Sequence, residues 1–164
     1  MPIKSKVGDV FLVPLQEGHC VGQIVDEYLK MPYICIFEEI IKDMDISADW
    51  VSGKKPLFAH LSLDGLLYHG EWPIIGNYKN NLSEIARPAY KVGYEGSPHV
   101  EPFHSKILRP ASVDEDHFLR FRNIKAPVIL EDAIKSYHGD GQWKLNYADL
   151  YYEYAEKTAH LNNF

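Results

Sequence analysis

The chain has 164 residues, 46% of them hydrophobic and 24% charged, a balance that supplies a core and excludes a disordered tail. Its 17 Lys and Arg stand against 23 Asp and Glu, and the resulting net charge of −6 disfavours direct nucleic-acid binding and favours cationic partners. The length fits one domain, 1–164, with 1–110 mainly β and 111–164 mainly α.

Val10-Phe11-Leu12-Val13 is a short apolar run, entered through Val7-Gly8-Asp9 and ended by Pro14, and it predicts a first strand. Gln16-Glu17-Gly18-His19 reads as a hairpin loop, and Cys20 to Tyr28 returns as a second strand. Gly22 inside that strand marks a bulge or a close backbone approach. Tyr33-Ile34-Cys35-Ile36-Phe37 is apolar at every position, so both faces should be covered, at the centre of a sheet. Glu38 to Trp50 then turns acidic, and Ser52 to Pro56 closes it as a loop.

Leu57 to Leu63 predicts a further strand with Leu57, Ala59, Leu61 and Leu63 toward the core. Gly70-Glu71-Trp72-Pro73-Ile74-Ile75-Gly76 follows as extended chain, Pro73 restricting Trp72. Weaker strand signals lie around Ala89 to Val92 and Lys106 to Leu108. After Pro110 the period becomes helical. Ser112-Val113-Asp114-Glu115 is a capping box for a helix to about Phe121. Pro127 begins a second helix that stops at Gly139, and Asn146 opens a third with Tyr147, Leu150, Tyr151, Tyr154, Ala155 and Thr158 on one face. Strands followed by helices give an α+β fold: a strongly bent N-terminal antiparallel sheet, or an SH3-like barrel, with C-terminal helices packed on it.

Reactive groupings are weak. His99-Val100-Glu101-Pro102-Phe103-His104 offers possible ligands, but Pro102 prevents a helical register, so no metal site is expected. Cys20 and Cys35 lie in apolar strands, where burial raises a thiol pKa; no catalytic residue is assigned, and an enzymatic role would require His60, His99 or His104 to meet a carboxylate or Cys20. His138-Gly139-Asp140-Gly141 lacks the residues of a phosphate or calcium loop, and no G-x-S-x-G or G-x-G-x-x-G signature occurs, so no cofactor is expected. No stretch reaches the roughly 18 apolar residues of a membrane span, and the N-terminus lacks a signal-peptide core, which predicts cytoplasmic residence.

What remains is surface. Glu38, Glu39, Asp43, Asp45 and Asp49 with Trp50 combine carboxylates and an aromatic anchor, the composition expected where a cationic partner docks. Tyr152, pointing away from the third helix's apolar stripe, joins them as a candidate contact.

Two motifs carry a resemblance. Lys6-Val7-Gly8-Asp9-Val10-Phe11-Leu12-Val13-Pro14-Leu15, continued by Gly18 and Gly22-Gln23-Ile24-Val25, resembles the opening of the bacterial immunity protein family numbered twenty-six, found beside polymorphic toxin genes. Glu71-Trp72-Pro73-Ile74-Ile75-Gly76 is similar to that family's second element. The resemblance implies an α+β protein that binds and neutralises a cognate toxin domain, a basic nuclease among the options, without catalysis. The alternative is an SH3-like module binding a peptide or small ligand through a groove of Tyr and Trp.

Overall fold

The computed structural model describes residues 2–163. Their contacts gather into two compact units: residues 2–85 with Ile124–Tyr152, and Ala86–Asn123 with residues 153–163.

The first unit is built on five antiparallel strands: β1 (Asp9–Leu15), β2 (Gly18–Tyr28), β3 (Met31–Ile41), β4 (Phe58–Leu61) and β5 (Ile74–Asn77). Their order is β4-β3-β2-β1-β5, an open sheet, so the bent sheet is the form adopted and the SH3-like barrel is not. Register shifts in β2–β3 and β1–β5 interrupt the ladders, and such bulges bend a sheet without closing it. Strand β3 is interior and its Tyr33–Phe37 run is buried throughout, as its unbroken apolar sequence requires; β2 takes the middle place.

Strand β1 continues through Pro14, which pairs with His19 of β2. Proline is tolerated there because β5 pairs only with Asp9–Phe11, leaving the other side of β1 without a sheet partner at Pro14. The Gly-Asp entry to β1 is a turn in which Lys6 N–H donates to Asp9 Oδ2 at 2.9 Å and Gly8 takes a φ of 93°. Strands β2 and β3 join through Leu29 and Lys30, both at positive φ (52° and 68°) although neither is glycine.

The two sequence motifs meet in this core. Phe11 stacks on Trp72 with ring centroids 5.2 Å apart and planes within 3°, and both are fully buried. Gly22 lies against the Phe11 ring: a Cβ there would sit 2.4 Å from Cε2 and Cζ. The indole N–H of Trp72 donates to Glu131 Oε1 at 3.1 Å. Glu131 belongs to helix α3 (Pro127–Tyr137), which follows the short helix α1 (Gly65–Tyr68) and helix α2 (Val113–Phe118) in the chain. Leu130, Ala133 and Ile134 of α3 pack with Phe11, Ile24, Ile34, Phe58 and Trp72 in one apolar cluster, and Gly139 follows the helix at φ 88°.

Two expected elements differ. Around β4, Ala59 and Leu61 are buried as expected and Leu57 packs against the core, but Phe58 is fully buried as well and Leu63 is exposed, so the inward face ends before Leu63. The third helix is broken: residues Leu145–Leu150 make a 3-10 helix, Tyr151 turns extended (φ −59°, ψ 133°), and helix α4 (Glu153–Thr158) begins anew. An antiparallel bridge from Tyr151 to Phe58, with Tyr152 N–H donating to Leu57 O at 2.9 Å, replaces the helical bonds there. Tertiary pairing outweighs the helical period.

The second unit carries β6 (Tyr90–Tyr94), β7 (Ser97–Glu101) and β8 (Arg109–Pro110) in the order β6-β7-β8, with α2 and α4. Ala89, Val100, Leu119 and Leu161 form its core. Thr158 Oγ1 accepts from Ala89 N–H at 3.1 Å, and the Tyr154 hydroxyl donates to Ala89 O at 2.7 Å. The His99-to-His104 segment enters β7, and Glu101 is held by Arg122. The capping box of α2 forms as read: Glu115 N–H donates to Ser112 Oγ, and Ser112 N–H to Glu115 Oε1.

Candidate functional site

The acidic segment begins inside β3. Gly22 pairs with Ile36, but two residues earlier in β2 Cys20 pairs with Ile40, so extra residues of β3 bulge out, among them Glu38 and Glu39. The bulge explains why these carboxylates are exposed after five buried residues, and it leaves the Glu38 carbonyl to side-chain donors. His138 Nε2–H donates to that carbonyl at 2.8 Å, and the Cys20 thiol points to it at 3.6 Å. The Tyr137 hydroxyl donates to Glu38 Oε1, and this bond to a carboxylate pushes the phenol above its ordinary pKa.

Beyond β3 the chain turns through Asp43, whose Oδ1 accepts from Asp45 N–H at 2.8 Å. Ser47 donates to Asp49 in the first turn of a 3-10 helix, Ala48–Val51, anchored by fully buried Val51. Trp50 meets Phe37 edge-on at 5.9 Å, and Lys54 Nζ lies 4.3 Å above the Trp50 ring and 4.0 Å from Glu39 Oε2. Phe37, Glu38, Glu39, Trp50, Lys54 and Lys55 line an open hollow of about 250 Å³.

Glu38, Glu39 and Trp50 thus converge on one hollow, while Asp43, Asp45 and Asp49 are exposed along the adjoining loop and 3-10 helix. Tyr152 does not join them. Only 5% exposed, it cannot serve as a surface contact, because the extended Tyr151 breaks the helix and resets which way its successor faces. The residues missed were Lys54, Tyr137 and His138. Lys54 stands four residues after Trp50, a spacing that a turn can fold into a cation–ring contact; nothing local ties Tyr137 or His138 to Glu38, about 100 residues away.

The nearness of Cys20 and His138, Sγ to Nε2 at 3.7 Å, has the composition of a nucleophile with its base. Its chemistry is otherwise. His138 Nε2 carries the proton it gives to Glu38 O and has no lone pair to accept the thiol proton, while burial, with Glu38 adding to it, pushes Cys20 up to about 12. The imidazole therefore acts as a clasp between the end of α3 and the bulge. His60 meets Leu61 O at 2.7 Å through Nδ1, a main-chain contact. Among the described residues no three of His, Cys, Asp or Glu gather as a metal site, and no helix is long and apolar enough to cross a membrane.

The fold and this surface define an α+β protein whose open antiparallel sheet holds out a carboxylate-rich segment edged by Trp50, with no activated nucleophile at Cys20. The chain belongs to the family Immunity protein 26, which it matches over residues 6–98. The match takes in the whole five-stranded sheet, including the Phe11–Trp72 stack, and reaches β7. Membership points to an immunity protein that acts against a toxin, a non-catalytic kind of role. Comparisons with curated proteins and with solved structures gave no match.

Proposed function

We propose that this chain binds a cognate toxin domain and neutralises it by covering it, without catalysis, in the cytoplasm. The observation that carries the proposal beyond family membership is the exposure of Glu38 and Glu39 on the bulged end of β3 and of Asp43, Asp45 and Asp49 on the loop and 3-10 helix that follow it, beside Trp50. Such a surface attracts a cationic partner at long range and suits a basic toxin, a nuclease foremost, whose site accepts phosphates where these carboxylates would lie. Trp50, held edge-on by Phe37, supplies an anchor that loses little side-chain freedom on docking. The acidic balance of the whole chain works in the same direction.

The test is association kinetics with an inactive form of the toxin domain encoded beside this chain. Asp43→Asn combined with Asp45→Asn should slow association several-fold at low salt and flatten its salt dependence, leaving dissociation nearly unchanged. Unchanged association would reject this surface.

A further inference from the structure

Lys54 occupies a place shaped for a cation. Its Nζ lies 4.3 Å from the centroid of the Trp50 ring and 4.0 Å from Glu39 Oε2, so one point in the hollow meets both an aromatic ring and a carboxylate. Those are the two groups that attract a cation most directly. The chain fills the point with a side chain of its own, and fills it poorly. At 4.0 Å the ammonium is too far from Glu39 for a hydrogen bond. The side chains of Lys54 and Glu39 are 37% and 62% exposed, a setting in which such a pair contributes little.

The site does not need Lys54 in order to form. Main-chain bonds fold the segment: Trp50 N–H donates to Ser47 O at 3.1 Å, Ser52 N–H to Asp49 O at 3.0 Å and Lys54 N–H to Val51 O at 3.2 Å. Val51 is fully buried, and Phe37 meets the Trp50 ring edge-on. The bulge of β3 exposes Glu39, and its neighbour Glu38 is tied to the Tyr137 hydroxyl. Ring and carboxylate stand ready whether or not the Lys54 ammonium lies between them.

Arginine fits where lysine falls short. A guanidinium stacks flat on an indole and carries its N–H groups in its own plane, so its edge can reach a carboxylate beside the ring while its face stays on the ring. An ammonium must choose between the two, and Lys54 sits over the ring short of the carboxylate. Charge acts in the same sense over longer distances. The first unit, which carries the hollow, holds 16 of the 23 acidic and 10 of the 17 basic residues, so the whole net charge of −6 belongs to it.

We propose that the hollow between Trp50 and Glu39 is the receptor for an arginine side chain of the cognate toxin, and that Lys54 is its internal stand-in, displaced when the toxin docks. This rests on the toxin-binding reading above and names the group that the surface takes. A lysine over an exposed ring is favoured over its released state by about two- to fivefold, so the stand-in weakens binding of the arginine by about three- to sixfold.

Two titrations of the full chain test this. In the first, the indole N–H resonance of Trp50 is followed as N-acetylarginine amide is added. The Lys54→Gln chain should bind this probe about three- to sixfold more tightly than the native chain. Adding Glu39→Gln to that variant should remove the gain, and N-acetyllysine amide should bind more weakly than the arginine probe. In the second, the inactive toxin domain encoded beside this chain replaces the probe. Lys54→Gln should tighten the complex by the same factor and leave the unfolding temperature in place. Lys42→Gln removes the same charge from the same exposed segment but does not line the hollow, and should tighten the complex by less than about twofold. Trp50→Leu should weaken it by about tenfold or more. An arginine probe that leaves the Trp50 resonance of the Lys54→Gln chain unmoved overturns the receptor. A toxin complex that Lys54→Gln leaves unchanged or weakens, with the native chain still binding, overturns the placing of a toxin arginine there. Failure of the native chain to bind the toxin domain overturns the reading beneath it.

Discussion

Gly22→Ala tests the packing that joins the two family motifs. The added Cβ would lie 2.4 Å from two carbons of the Phe11 ring and 3.1 Å from the Cys35 carbonyl oxygen, more than an ångström inside ordinary carbon contact for the ring. Phe11 cannot swing aside, because it lies parallel to Trp72 and both rings are fully buried. Overpacking of this kind costs about 3 kcal/mol at its upper end. Gly22 is not at positive φ, so alanine also restricts the unfolded chain and returns about 0.5–1 kcal/mol. A net loss of about 2 kcal/mol corresponds to roughly 4–8 °C in a chain of this size. Urea unfolding followed by tryptophan fluorescence reads it directly. Phe11→Leu alone costs about 1–2 kcal/mol through the lost ring stack and volume. Combined with Gly22→Ala it should cost less than the sum by about 1 kcal/mol, since the shorter side chain vacates the contested space. A Gly22→Ala protein within about 0.5 kcal/mol of the native one would refute the argument.

Cys20, buried and raised to about 12, should resist iodoacetamide at pH 8 in the folded protein and react promptly in urea; peptide mass spectrometry reads the difference, and rapid labelling of the folded chain would restore a nucleophilic reading. Glu115 is held at about 2, chiefly by the hydrogen bonds from Arg109, against an ordinary value of 4.5. Its contribution is therefore complete above pH 4.5 and lost as pH falls through about 2, so Glu115→Gln should flatten the acid limb of the stability curve. Ser112→Ala should cost about 1 kcal/mol by opening the capping box, measured by denaturant unfolding.

Features that depend on neighbours in sequence were legible before the fold was known. The Gly-Asp turn into β1, the unbroken apolar run of β3, the capping box of α2 and the Pro127-to-Gly139 helix each rest on a local rule, and each forms. The close approach at Gly22 was readable too, though not that Phe11 would be the neighbour. What failed depended on partners far along the chain. The stripe from Tyr147 to Thr158 satisfies helical spacing, yet Phe58 and Leu57 claim Tyr151 and Tyr152 for strand-like bonds. That single break moved Tyr152 from the expected surface into the interior. The acidic candidates were visible as composition, whereas the bulge that exposes Glu38 and Glu39 arises from a register between β2 and β3 that no periodicity encodes.

The Leu29-Lys30 tip of the β2–β3 hairpin carries two left-handed residues without glycine, a geometry that disfavours each by about 1 kcal/mol or more. The chain tolerates this because two eleven-residue arms, Tyr28 opposite Met31 at one end and His19 opposite Ile41 at the other, align by their buried side chains. Alignment is written in the arms and merely endured at the tip. The corner is therefore the part of this sheet most open to evolutionary drift: a glycine or asparagine arriving there would relieve the backbone and leave every pairing, and the surface that β3 presents, where it is.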